Sequence, residues 1–386
     1  MYYQLLESRF EIPDDYNEDE LNEILADASL NTTTSELGTP NIIVILSESF
    51  FDVNLLSDDI TFDKDITSNF NNLKNEGYLV NLVSPSYGGM TINVTFELLT
   101  GGNMSYFNNG YIPFMQLYGN NASKLPSIVK ELSNNGYYNQ IIMGQDSYDS
   151  EKVFKILGFD EYVKLDTTDE NKKGYYVSDD YMSDLIIQQI EEKNGKRKFL
   201  IVETMQSHMD YLVSKYDDYD ISILNSNLSD IDNNVLLSYA QGIYDADKMI
   251  LKVYNEIQKV DEDIIIVFFG DHLPYLENIN GDNMISKLQY FNTGDSILDL
   301  YRLYNTQALI LSNYDLEIDL PDNLGFDLLL TTLISHMDIE ISSYYKWLYT
   351  TSEVLPAYNR YVAIDKANNL YKFNELNLEM LGNIQK

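Results

Sequence analysis

Four short apolar runs constrain this chain more than anything else in it. They are Asn41-Ile-Ile-Val-Ile-Leu46, Lys198-Phe-Leu-Ile-Val-Glu203, Asp263-Ile-Ile-Ile-Val-Phe-Phe269 and Gln307-Ala-Leu-Ile-Leu-Ser312. None alternates apolar with polar, so neither face of such a strand suits water. Strands buried on both faces belong mainly to parallel sheets covered by helices. Helical patterns lie between the runs, at Ser123–Asn134, Ser178–Lys193 and Asn234–Val260. Alternating strand and helix predicts an α/β fold, a sandwich with a mostly parallel central sheet flanked by helices. The 386 residues suffice for one large domain or two ordinary ones.

The stretches outside that pattern are polar. Residues 1–40 are acidic, with a short helix expected at Asp19–Ala28, where Leu21, Ile24 and Leu25 share a face. Ser29–Thr39 reads as a linker, and Tyr216–Asn234 as a surface excursion. Charge is lopsided: 25 Lys and Arg against 61 Asp and Glu give a net −36. That balance excludes nucleic acid bound through a broad basic surface, and it repels anionic lipid unless something anchors the chain. The absence of cysteine excludes disulfides, thiolate zinc sites and a cysteine nucleophile. No apolar run is long enough to span a bilayer and no leader pattern is present. Sequence physics leaves two readings, a soluble intracellular protein or one whose membrane segments have been trimmed away.

In open α/β sheets the ligand site lies beyond the carboxyl ends of the strands. Ser47-Glu48-Ser49-Phe50 follows the first run, Thr204-Met-Gln-Ser-His208 the second, and Gly270-Asp271-His272-Leu-Pro274 the third. Each has a bland explanation. Glu48 fits a helix-start carboxylate, Asp271-His272 a turn, and His208 a loop hydrogen bond. Three together, using two of only three histidines, point to one rim bearing chemistry. His336, in the apolar Leu333–Met337, is read as a packed helix histidine. A further segment, Tyr87-Gly-Gly-Met-Thr91, leads with paired glycines into an expected helix. Glycines permit close ligand approach, and a helix start offers free N–H groups to an anion. Thr91 is therefore either an N-cap or a nucleophile.

At this point the residues resemble a known family. Pro40-Asn-Ile-Ile-Val-Ile-Leu-Ser-Glu-Ser-Phe50 is similar to the opening strand of lipoteichoic acid synthase-like enzymes, of the alkaline phosphatase and sulfatase superfamily. Gly88-Gly-Met-Thr-Ile-Asn-Val-Thr-Phe-Glu-Leu-Leu-Thr-Gly101 is similar to their nucleophile loop. Leu157-Gly-Phe-Asp160, Thr204–His208, Phe269-Gly-Asp-His272 and Ser312-Asn-Tyr-Asp315 follow in the family's order. The resemblance implies an acidic segment and linker at 1–39, a sulfatase-like catalytic domain at 40–350 and a C-terminal tail at 351–386. It implies that Glu48, Asp271 and His272 bind one divalent cation and that Thr91 is the nucleophile and a fourth ligand. It also implies that His208 contacts the transferred phosphoglycerol. Such a hard, oxygen-rich donor set suits Mn²⁺, with Mg²⁺ or Zn²⁺ as alternatives.

The implied reaction has two steps. Thr91 takes phosphoglycerol from a phosphatidylglycerol-like lipid, then passes it from phospho-threonine to a surface glycopolymer or glycolipid acceptor. The family's domain faces outward from the cell membrane, tethered by helices, which makes this chain a trimmed extracellular part. Three positions depart from the family. Met143 stands where a His is usual, Ser150 where an Arg is usual, and Thr95 where an acid is usual. The metal set is thus complete while the substrate-binding wall at Met143 and Ser150 is altered. Alternative readings are transfer of another headgroup such as phosphoethanolamine, simple hydrolysis, or a binding protein that keeps the fold. A degenerate enzyme would be free to lose Thr91 or Asp271-His272, and both are retained.

Overall fold

The computed structural model describes residues 17–29, 37–116, 122–145, 150–192 and 195–376. Eight strands form the main sheet. In chain order they are β1 (Asn41–Ser47), β2 (Tyr78–Val83), β3 (Tyr138–Met143), β4 (Glu161–Val163), β5 (Lys198–Glu203), β6 (Ile264–Gly270), β7 (Asn305–Ser312) and β8 (Asn323–Gly325). Their spatial order is β8-β2-β7-β6-β1-β5-β3-β4. Only β7 runs against its neighbours, antiparallel to both β6 and β2. The sheet is thus mostly parallel, as the apolar runs predict.

Successive side chains of β1 feed two separate cores. Ile42, Val44 and Leu46 enter a layer shared with α2 (Thr91–Thr100) and α7 (Phe326–Ser335). Ile43 and Ile45 enter the opposite layer, under α6 (Asp230–Ile257). All five are at most 2 % exposed, and full burial of such a side chain contributes roughly 1.5–3 kcal/mol. The long α6 begins where Ser229 Oγ accepts from Asp232 N, with Asp230 and Asp232 in the positive first turn.

Other expected helices appear with shifted ends. The N-terminal one is α1 (Glu18–Ser29), and the one at 178–193 is α5 (Asp179–Glu191), with Ser178 as N-cap. The helix expected at 123–134 starts only at Ile128, as α3 (Ile128–Asn134). Pro126 explains the delay, because the residue before a proline is pushed out of helical geometry. Strands β2 and β3 are additions, too mixed in character to stand out. The stretch 216–234 lies largely at the surface, as expected, but Tyr216, Ile221 and Asp232 anchor it and Ile223–Asn225 pairs with Thr61–Phe62. Residues 1–16 and 30–36, with most of the expected linker, lie outside the described residues.

Near the C-terminus, Ala357–Tyr358, Val362–Ile364 and Leu370–Lys372 form a small antiparallel sheet, β9 to β11. It shares an apolar cluster with Val83, and Asn359 Nδ2 donates to Ser84 O at 2.8 Å. Among the described residues no helix is long and apolar enough to cross a membrane.

Candidate metal centre and nucleophile

The register of β1 against its neighbours decides where the chemistry emerges. Ser47 pairs with Gly270 of β6, and Leu46 with Glu203 of β5. The next residues of β1 and β6, Glu48 and Asp271, therefore leave the sheet at one level, with Thr204 one residue behind them at the end of β5. Gly270 is required there, since a Cβ on it would lie 2.0 Å from Phe50 O. The chain turns sharply after β1, with Ser49 in the left-handed region at φ 53. Non-glycine residues held this way are strained and cluster at functional sites. Tyr239 OH fixes this turn by donating to Ser49 O at 2.8 Å.

Thr91 arrives from another direction. Gly88, Gly89 and Met90 all have positive φ, and Gly88 passes so close to Tyr275 that a Cβ would sit 2.7 Å from its Cβ. Met90 is the N-cap residue of α2 and Thr91 its first helical residue. The Thr91 hydroxyl therefore does not cap the helix. It donates to Asp271 Oδ2 at 2.7 Å and lies 3.5 Å from both Glu48 Oε2 and His272 Nε2.

Glu48, Asp271 and His272 are almost fully buried, and each offers one ligand atom within 4.8 Å of the others. His272 Nε2 is 3.1 Å from Asp271 Oδ2 and 3.9 Å from Glu48 Oε1. The other ring nitrogen, Nδ1, is 3.0 Å from Leu273 O, which suits an Nδ1–H donor and leaves the Nε2 lone pair facing the carboxylates. Burial, then Asp271, push the Glu48 carboxyl above its ordinary range. Burial pushes the His272 imidazole down, but Asp271 and Glu48 outweigh it and hold it above its usual value. Among the described residues neither carboxylate has a Lys or Arg in ion-pair contact. Two buried carboxylates without a partner cation are costly. An inward hydroxyl, an imidazole lone pair and two carboxylates are the donors a divalent cation would satisfy.

His208 follows β5 and is half-buried. Its Nδ1 sits 2.8 Å from Met209 O and 3.1 Å from Tyr176 OH, while Lys215 Nζ donates to its backbone carbonyl. Lys215 is 2 % exposed, among the rings of Tyr176, Tyr211 and Tyr216. Burial pulls its pKa down to about 8, with Glu48 the leading charge that opposes the shift. No sequence pattern marks Lys215, because its neighbours are ordinary loop residues.

Met143 ends β3, half-buried and opposite Glu203 in register. Ser150 opens α4 (Ser150–Leu157), and its side chain lies outside the described ones, as do residues 146–149. Lys152 and Lys155 on α4 are both exposed. Thr95, where an acid is usual, donates to Glu203 Oε1 at 2.8 Å. A buried carboxyl thus approaches that position from β5 instead of α2. Burial pushes Glu203 up to about 7, against the Thr95 hydrogen bond and aided by Asp271 and Glu48. His336 sits half-buried at the end of α7, edge-on to Tyr349, a packed helix histidine as expected.

Residues 40–316 match the family described as Sulfatase. In fold the chain is similar to the Streptococcus pyogenes phosphoglycerol transferase GacH in complex with sn-glycerol-1-phosphate. That likeness has a TM-score of 0.71 and 21 % identity, over 97 % of this chain and 92 % of that one. It is also similar to the lipoteichoic acid synthase LtaP from Listeria monocytogenes, with a TM-score of 0.63 and 16 % identity, over 95 % of each chain. A Rhizobium meliloti (strain 1021) protein named for cyclic β-1,2-glucan modification is 32 % identical over 253 residues, or 64 % of this chain. The chain spans only 37 % of that relative's length.

Proposed function

We propose, since the chain belongs to the sulfatase family, that it transfers a phosphoglycerol group from a membrane phospholipid to a surface glycan through Thr91. The observation that carries this reading is the Thr91 hydroxyl, turned away from capping α2 and set 2.7 Å from Asp271 Oδ2. A simple N-cap threonine would bond its own helix instead. A phosphoglycerol transferase and a lipoteichoic acid synthase among the fold neighbours, and a relative named for glucan modification, support these substrate classes. The catalytic unit is assigned to 40–350, displayed outside the cell by membrane segments beyond this chain.

In the first step Thr91 Oγ1 bonds to phosphorus as the bond from phosphorus to the diacylglycerol oxygen breaks. Asp271 Oδ2 accepts the Thr91 hydroxyl hydrogen bond and so aims the oxygen. The diacylglycerol oxygen leaves with a proton. In the second step an acceptor hydroxyl bonds to the same phosphorus, the bond to Thr91 breaks, and the threonine hydroxyl is restored. A divalent cation, Mn²⁺ first among candidates and Mg²⁺ or Zn²⁺ next, held by Glu48, Thr91, Asp271 and His272, would lower the hydroxyl's pKa and offset phosphoryl charge. His208, braced by Lys215, contacts the headgroup.

Intact-mass measurement after incubation with phosphatidylglycerol tests the reading. The wild type gains a phosphoglycerol adduct and Thr91→Ala gains none. An adduct that persists in Thr91→Ala reassigns the nucleophile. Met143 gives one reason to keep a second reading: its apolar side chain stands where a charge-assisted contact to the headgroup is usual. That wall favours a different headgroup, such as phosphoethanolamine, and donor competition separates the two.

A further inference from the structure

A groove of about 1150 Å³ opens at the other end of α2 from Thr91. Gly101 and Gly102, which follow α2, line it together with α1, α8 (Ser343–Ser352), Tyr358 of β9 and Phe373. The ten residues of α2 put it about 15 Å from the nucleophile at 1.5 Å per residue. Ordinary small-molecule sites measure roughly 300–1,000 Å³, so a space of this size suits a run of linked units.

Five aromatic side chains line the groove: Tyr106, Tyr344, Trp347, Tyr358 and Phe373. They hold one another's faces in place. Tyr358 stacks on Phe373, with planes 7° apart and centroids 5.8 Å apart. Tyr106 meets Tyr358 edge-on, hydroxyl to hydroxyl at 3.1 Å, and Trp347 leans on Tyr344 with centroids 6.1 Å apart. Tyr106 is 73 % exposed, far more than a ring that serves only to pack.

Charge is nearly absent. Asp27 is the sole charged residue of this lining, in a chain with 61 acids and 25 bases. With no Lys or Arg to meet phosphate, a polyanionic chain finds nothing to hold it. The hydroxyls of Thr350 and Thr351 donate to their own helix, to Trp347 O and Leu348 O. The Trp347 indole N–H and the Tyr344 hydroxyl, by contrast, have no hydrogen-bond partner among the described residues, and neither is cut off from solvent. An acyl chain or an apolar helix laid over them would leave two polar groups unpaired. A sugar answers both needs: its C–H face lies on an aromatic face, and its hydroxyls pair with the indole and the phenol.

We propose that this groove holds a neutral oligosaccharide stretch of the acceptor, apart from the reactive centre. The proposal rests on the transfer reaction above for its purpose, but not for its test. A glycan gripped at one end of α2 stays beside the phosphorylated Thr91 at the other, and successive transfers to one chain need no new encounter.

Trp347 is the only tryptophan of the chain, so its emission reports the groove directly. Thr91→Ala, which cannot carry a phosphoryl group at that position, is titrated with cellohexaose and laminarihexaose, two neutral β-linked glucose hexasaccharides. The emission shifts with at least one of them, with a Kd of about 1 mM or tighter. Adding Tyr106→Ala, which removes an exposed ring, weakens that binding about tenfold. Phe373→Ala, which leaves Tyr358 unbacked, is the second variant and weakens it in the same direction. No shift with either sugar, or a Kd unchanged in both variants, would overturn the proposal. So would a tighter response to poly(glycerol phosphate) or to dioleoylphosphatidylglycerol vesicles than to the sugars. Thr91 loading by a donor lipid, measured on the wild type, judges the transfer reaction. The titration judges the groove whichever way that result falls.

Discussion

The backbone N–H of Ser49 donates to Asp271 Oδ1 at 2.9 Å, joining positions 222 residues apart in the chain. That bond occupies one oxygen of the carboxylate and leaves the other, Oδ2, to Thr91 and His272. Ser49 does the same for Glu48: its hydroxyl donates to Oε1 at 2.8 Å, with Oε2 on the Thr91 side. One strained turn thus orients both acids.

From this arrangement comes a prediction of opposite signs. With a divalent cation at about 100 times its Kd, the wild type gains about 2.7 kcal/mol. Asp271→Asn keeps an oxygen for Ser49 but loses charge, so most of that gain disappears. In chelator the order reverses or closes, because the substitution relieves repulsion between two buried carboxylates. Melting curves of both proteins with and without Mn²⁺ check this. A wild-type melting point indifferent to Mn²⁺, Mg²⁺ and Zn²⁺ would sink the metal reading.

Lys215→Met keeps an apolar stem but removes the donor that braces the His208 carbonyl. The expected result is a KM for the donor raised about tenfold, matching loss of one charge-assisted hydrogen bond of roughly 1.5 kcal/mol, with a folded protein. Steady-state kinetics provide the readout. An effect confined to kcat would place Lys215 elsewhere in the reaction.

Changes at Met143 and Ser150 address the donor. Restoring Met143→His together with Ser150→Arg adds two charge-assisted contacts, each worth about 1.5–3 kcal/mol. Turnover of phosphatidylglycerol is expected to rise at least about tenfold in the double variant. Unchanged or reduced turnover would mean that the native wall already suits that headgroup.

Beneath α2 a different pair of acids responds to pH. Glu97 and Asp327 are both buried; burial pushes Asp327 up to about 7 and Glu97 well above its ordinary range. The folded state then keeps a proton on Asp327 that the unfolded chain releases near pH 4. This contribution to stability is full below about pH 4 and is lost as pH rises toward about 7, by at most about 4 kcal/mol. Denaturation of Asp327→Asn against wild type from pH 4.5 to 8 should show the variant gaining about 2–4 kcal/mol across that window. A constant difference would show that Asp327 stays ionised in the fold.

What the sequence made legible follows from where side chains are uniform. The runs behind β1, β5 and β6 are apolar on both faces, so their identity needed no partner to interpret. Strands β2 and β3 mix Asn, Gln and Tyr with apolar residues, because their polar groups find particular partners, as Gln140 does in Glu161 and Gln189. Only tertiary pairing explains such residues. The acids and histidine of the site were readable because each directly follows a strand. Ser49, Tyr239, Glu203 and Lys215 were not. Their part depends on which loop lies across from them, and chain spacing carries no trace of that.

The in-register pairing of Ser47 with Gly270 also separates what in the site can vary from what cannot. Three of the four residues at the centre, Glu48, Asp271 and His272, follow two adjacent strands at the middle of the sheet, where a shift of one residue would reverse every buried side chain. The residues proposed to meet the donor, Met143, Ser150 and His208, sit at a strand end, a helix start and a loop. Those parts can drift while the reactive centre stands still. A substitution that reshapes those parts therefore leaves the spacing of Glu48, Asp271 and His272 untouched, because strand register alone sets it.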